Sequence, residues 1–192
     1  EMAIIARVTD IVYTEIATNE IRKIVDDYVD SLIEGKVLEP LQIPEAHARQ
    51  IFMICGGSAS GKGSSVYILQ QSAENNGIKW EDVAQINTDA YKPLLLDPHT
   101  VQPELYSQLA QEEASLINAK IQAKLEQLAA IKSAPHVLFD QVFVGSDQLK
   151  VAKINRGQAK VIVVSTEVAD AVERSYSRGI QTGRVEDTVG IL

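Results

Sequence analysis

The stretch FMICGGSASGKGSS, residues 52–65, constrains the fold more than any other. An apolar run ends at Cys55, and Gly56, Gly57, Ser58, Ala59, Ser60, Gly61, Lys62, Gly63 and Ser64 follow without a bulky apolar side chain. Such a segment cannot fill a core, so its composition must serve the backbone. Gly56, Gly61 and Lys62 fit G-x-x-x-x-G-K, and the loop joins a predicted strand to a predicted helix, which is where a phosphate-binding loop occurs. Glycines let successive N–H groups converge on phosphate oxygens. The helix N-terminus adds partial positive charge, and Lys62 adds a mobile point charge. The usual pattern ends G-K-[ST], with the hydroxyl on Mg²⁺. Here Gly63 takes that place and Ser64 follows. Either Ser64 reaches the metal, or water fills the gap, or metal binding is weak and the chemistry is crippled.

The rest of the chain supports the strand–loop–helix context. Apolar residues recur at helical spacing over residues 3–34, and a connector with Gly35, Pro40 and Pro44 follows. IFMIC is a short, continuously apolar run, read as a strand buried on both faces, and DVAQIN, HVLFDQVF and AKVIVVST are read as three further strands. Between and after them, helical patterns are expected over residues 62–77, 101–132, 146–157 and 167–179. Alternating strands and helices predict an α/β fold, a parallel sheet between two helical layers, joined by right-handed crossovers. The expected organisation is an N-terminal helical extension over residues 1–49 and a P-loop domain over residues 50–192.

Composition excludes several functions. The net charge is −8 and the pI about 4.9, so there is no basic surplus for a dedicated nucleic-acid binder. A single cysteine, Cys55, rules out a disulfide framework or thiolate metal site within the chain. It is read as a buried core thiol. No apolar run approaches the ~18 residues of a membrane span. His47, His99 and His136 have no partners at metal-ligand spacing; His47 and His136 are read as structural. His99 either lines a substrate or is a loop residue.

In an open parallel sheet, ligands bind beyond the carboxyl ends of the strands. Asp89, just after the second strand, would face the same cleft as Lys62. Phosphoryl transfer to a hydroxyl needs a carboxylate that orients the attacking oxygen and accepts its proton. Asp89 is the candidate, the alternative being a helix cap. Lys92 follows one turn later, as a contact for an anionic substrate or a solvated lysine. Asp140 ends the third strand, as a substrate-binding carboxylate, an outer ligand of a metal, or a turn residue. Arg174 and Arg178 share a helical face, and Arg184 follows a glycine-containing loop. Guanidinium groups suit a transferring phosphate, although a basic helix end is also what the helix dipole favours.

Together, GGSASGKGS, TDAYKPLLLDPH and ERSYSRGIQTGR resemble, in order, the three motifs of the zeta-toxin-type P-loop kinases. The resemblance spans residues 50–186. It implies a P-loop kinase fold and ATP- and Mg²⁺-dependent phosphorylation of a small-molecule hydroxyl, the familiar acceptor being a UDP-N-acetyl amino sugar. It implies that Lys62 holds phosphates, that Asp89 is the base, and that Arg174 and Arg184 are lid-like arginines. The family's acidic residue followed by Gly-Thr after the third strand is matched only by Asp140 in DQV, which leaves the acceptor open. An antitoxin or host protein partner is implied, in the cytoplasm, or in a host cytosol if the protein is an effector. Such a kinase continues beyond Arg184 with another strand and helix, so the chain is expected to be part of a larger protein. The rival expectations are a nucleotide-binding effector or interaction domain without catalysis, and another small P-loop phosphotransferase acting on an antibiotic, a nucleoside or a polynucleotide end, the last disfavoured by the acidic balance.

Overall fold

The computed structural model describes residues 19–38, 49–57, 59–95, 111–141 and 158–182. Four strands, β1 (Gln50–Cys55), β2 (Val83–Ile86), β3 (His136–Asp140) and β4 (Gln158–Val163), pair in parallel in the order β2-β3-β1-β4. β1 is central, with Ile51 opposite Val137 on one side and Cys55 opposite Val163 on the other. Around the sheet lie α1 (Asn19–Ile33), α2 (Lys62–Glu74), the single turn α3 (Lys92–Leu95), α4 (Gln111–Ala130) and α5 (Val168–Thr182). The helix expected over residues 146–157 lies outside the described residues, as do His47 and His99.

The period-two alternation of the strands sorts their side chains into two cores. Ile51, Met53, Ala84, Ile86, Val137 and Phe139 face α1 and α4. Phe52, Ile54, Val83 and Leu138 face α2. β1 is apolar throughout its middle because helices cover both of its faces. α4 meets the sheet with Ile117, Ile121 and Leu125, a stripe at i, i+4, i+8 that is fully buried. Each such side chain contributes roughly 1.5–3 kcal/mol by leaving water. α1 belongs to this same core through Val29 and Ile33, and two ion pairs, Lys120–Asp26 at 2.9 Å and Lys124–Asp30 at 3.1 Å, run along its seam with α4. His136 is buried and structural, its Nδ1 accepting from the Gln50 N–H at 3.0 Å.

From β1 to β2 the chain crosses on the α2 face. From β2 to β3 it returns on the α4 face, in the opposite direction across the sheet. Both crossovers therefore share one hand, as the handedness rule for parallel strands demands. This is the three-layer P-loop kinase fold expected from the sequence. α2 ends where Asn76 and Gly77 close it. Gly77 takes φ +73°, its N–H reaches Glu74 O at 2.9 Å, and the Ile78 N–H reaches Ala73 O at 3.0 Å, a Schellman closure.

Candidate functional site

The carboxyl ends of β1, β2 and β3 deliver the P-loop, Asn87 with Asp89, and Asp140 to one edge of the sheet. The loop is anchored first. The Val164 N–H donates to Cys55 O at 2.7 Å, tying the chain after β4 to the end of β1. A Cβ on Gly56 would stand 2.6 Å from both Val164 O and Ser60 Oγ, so only glycine lets the backbone pass. Ala59 (φ 56°) and Gly61 (φ 94°) turn the loop through the left-handed region, and Gly61 caps α2. Ser60 is 6% exposed, and its hydroxyl has no hydrogen-bond partner among the described residues. Ser58 lies outside them. The Lys62 ammonium arches back over the loop, donating to Gly56 O at 2.8 Å and Gly57 O at 2.9 Å.

These features fit a polyphosphate. A side chain at Gly56 would fill the cradle, the buried Ser60 hydroxyl awaits a partner, and the cation already lies across the loop. The fit to Mg²⁺ is looser. Gly63 offers no side-chain oxygen, Ser64 is exposed at the first turn of α2, and no group of three or more His, Cys, Asp or Glu side chains among the described residues converges on a metal position. Mg²⁺ needs little from protein, because it keeps several waters and leans on one or two carboxylates and the substrate phosphates. Ser64 and the carboxylate of Asp140 are the groups available to it.

Opposite Lys62 stand two carboxylates. Asp140 is half-buried. Burial pushes its pKa up, Lys62 opposes that, and Asp89 adds to it. Asp140 is thus within electrostatic reach of both Lys62 and Asp89. Asp89 is 46% exposed and accepts from Lys92 Nζ at 2.7 Å, while Lys92 itself is only 4% exposed. The Lys92 ammonium lies under the site, against the carboxylate, and not out in solvent. It is carried there by its neighbour Tyr91, which is fully buried and packs edge-to-face on Tyr28 of α1 at 5.7 Å. Burial holds the Tyr91 phenol far above its usual range. Cys55 is half-buried beside the loop. Burial raises its thiol pKa and Lys62 opposes the rise.

No motif or spacing in the sequence marks Asn87. Its Oδ1 accepts from the Asp89 N–H at 2.9 Å and its Nδ2 donates to Asp140 Oδ2 at 3.2 Å. The visible signal was an Asx residue two positions before Asp89, a common turn-former. Its second bond, across 53 residues of sequence, had none.

On the other flank, α5 carries a groove of about 640 Å³ lined by Asp170, Glu173, Arg174, Ser177, Arg178 and Gln181. Arg174 and Arg178 share it, as their four-residue spacing requires. An Arg174 nitrogen lies 3.5 Å from where a Gly61 Cβ would be, so this arginine stands at the P-loop itself. Arg184 lies outside the described residues. No helix among the described residues is long and apolar enough to cross a membrane.

No family model matches the chain, and no curated protein sequence does. Solved structures do. A structure of the PezAT chromosomal toxin–antitoxin system of Streptococcus pneumoniae superposes with a TM-score of 0.58 at 17% identity, over 85% of this chain and 64% of that one. The complex of AvrRxo1-ORF1 with AvrRxo1-ORF2, determined with ATP, gives 0.57 at 16% identity, over 84% of this chain and 50% of that one. The Pnkp1/Rnl/Hen1 RNA repair complex gives 0.51 at 18% identity, over 75% and 42%. The chain therefore spans less than two thirds of the length of these neighbours. What they share with it at such identities is the fold: a P-loop α/β architecture of the kind found in a toxin–antitoxin system and in a complex solved with ATP.

Proposed function

We propose that this chain is an ATP-dependent phosphotransferase of zeta-toxin type, which moves the terminal phosphoryl group of ATP to a hydroxyl of a small molecule. The observation that carries this is the convergence of Lys62, Asp89 and Asp140 at one edge of a parallel sheet, with Arg174 against the loop. The neighbour solved with ATP supports the nucleotide. A UDP-N-acetyl amino sugar is the acceptor class favoured by the resemblance of the three motifs.

In this scheme the chain's own groups act by placement and charge, without a covalent enzyme intermediate. The loop N–H groups and Lys62 hold the phosphates. Asp89 orients the acceptor hydroxyl and takes its proton, held in place by Lys92. Arg174, with Arg178 and Arg184, gathers charge on the transferring group. Mg²⁺, when bound, neutralises the phosphate oxygens, and Ser64 and Asp140 are the groups that would hold it and its waters. The products are ADP and a phosphomonoester. An antitoxin-like partner follows from the same likeness, since a structural neighbour comes from a toxin–antitoxin system. A cytoplasmic location, or a host cytosol for an effector, belongs to this proposal too.

Gly63 favours a second reading, a nucleotide-binding effector or interaction domain without turnover. ATP titration with and without Mg²⁺, joined to ADP release against a panel of UDP-sugars and nucleosides, separates the two. Metal-stimulated ADP release with one acceptor supports the transferase. Binding indifferent to metal, with no release, supports the module. Lys62→Ala is expected to weaken ATP binding at least tenfold, the loss of about 1.4 kcal/mol of charge-assisted contact. Asp89→Asn is expected to reduce transfer by 10²-fold or more, the usual size of a lost general base. An Asp89→Asn protein of undiminished turnover would remove Asp89 from that role.

A further inference from the structure

We infer that Asn87 is a positioning residue that ties the backbone of Asp89 to the carboxylate of Asp140 and so sets how the two site acids stand relative to each other; this rests on the phosphotransfer reading above. Three observations carry it. Asn87 makes one bond to each side, 2.9 Å from the Asp89 N–H and 3.2 Å to the Asp140 carboxylate. The two bonds determine the amide's orientation. A backbone N–H only donates, so Oδ1 must face Asp89, and the NH2 end is left for Asp140. The carboxylates belong to different strands, β2's end and β3's end, which pair no further than Ile86 with Phe139. Past that point no backbone ladder sets their spacing, and the Asn87 side chain takes over.

The consequence for Asp140 is directional. Because Asn87 donates to Oδ2, that oxygen already carries one partner, and Oδ1 keeps the larger share of its accepting capacity for a substrate hydroxyl or a bound water. The groups facing this carboxylate are Lys62 from α2 and Asp89 from the turn after β2. Asp89 is itself restrained from below by Lys92 at 2.7 Å. Gln141 next in sequence donates to Asn118 of α4 at 3.1 Å, so the end of β3 is braced on its far side as well. Remove the Asn87 donor, and Asp140 loses a neutral hydrogen-bond partner while the Asp89 charge still acts on it.

The two bonds can be cut separately. Asn87→Asp is nearly isosteric, keeps an oxygen for the Asp89 N–H, and replaces the donor toward Asp140 with a carboxylate. Asn87→Ala removes both. With ATP and the acceptor found by the ADP-release panel, Asn87→Asp is expected to lower kcat by 10-fold or more. The KM for ATP should stay within about twofold, because the phosphate loop is untouched. Asn87→Ala should lower kcat at least as far. A purely structural role would instead move Tm and leave the kcat-to-KM split unchanged. A second measurement needs no turnover. Hydrogen exchange at the Asp89 amide should speed at least tenfold in Asn87→Ala and remain near wild type in Asn87→Asp. Wild-type kcat in Asn87→Asp, or unchanged Asp89 exchange in Asn87→Ala, would overturn the inference. A wild-type protein that turns over no acceptor would overturn the phosphotransfer reading, and the exchange experiment would still judge the clamp.

Discussion

Single residues decide whether the loop works as a phosphate site. Gly56 is irreplaceable because a Cβ there meets the carbonyl of Val164, a backbone atom that cannot step aside. Gly63 is the opposite case. A Cβ there meets nothing within 4 Å, and the residue sits in the first turn of α2. Position 63 therefore has room for a Cβ, and Gly63→Thr restores the usual hydroxyl. It is expected to tighten ATP binding about 3–10-fold in Mg²⁺, the worth of roughly one charge-assisted contact, and to leave binding in EDTA unchanged. Calorimetry in the two buffers checks this, and equal affinities in both would mean that position 63 plays no part in holding the metal. At this scale the sequence was informative where the requirement is local. Glycine at tight backbone approaches, lysine after Gly61 and a carboxylate after an apolar strand all leave a mark in the one-letter code. The burial of Lys92 and the second bond of Asn87 left none, because both depend on residues far away in sequence.

Among the elements, α1 is the most instructive. An apolar stripe near the N-terminus announces a packed helix but not what it packs on. Here Val29 and Ile33 enter the core shared by β1, β2, β3 and α4, and Tyr28 backs Tyr91. The helix thus supports the turn that carries Asp89 and Lys92. Ile33→Ala, at a site 2% exposed, is expected to cost about 2–4 kcal/mol, read by urea denaturation. Replacing Asp26 or Asp30 with asparagine should cost less than about 1 kcal/mol, because those ion pairs with α4 lie in solvent. Equal losses from both kinds of change would mean that α1 is held by charge and not by its apolar face. The strands were legible as short apolar runs, and their order was not, since parallel neighbours are chosen by crossovers and not by adjacent sequence.

For the whole molecule, the site is a balance between stability and chemistry. Burial raises the pKa of Asp140, Lys62 opposes the rise, and Asp89 reinforces it. A carboxyl group with a folded pKa above its unfolded value binds its proton more tightly in the native chain. The native state then carries more protons between those two values, so stability falls as pH rises through that window. Above it the penalty is complete, and below the ordinary carboxylate range it vanishes. Asp140→Asn keeps an oxygen to accept from Asn87 and discards the charge. It is expected to melt above wild type at pH 7, with a gap that narrows as the pH drops toward 4. Calorimetry across that range tests the sign, and a gap that ignores pH would mean that the charge is not what strains the fold. Function should move the other way, as in many sites where activity is kept at the expense of stability. Lys62 adds a kinetic consequence. Its ammonium is already engaged by the carbonyl oxygens of Gly56 and Gly57, so an arriving anion must swap places with the loop's own oxygens. Capture of nucleotide should then be a two-stage event, a fast salt-sensitive encounter followed by a slower handover of one cation, and stopped-flow traces should resolve both.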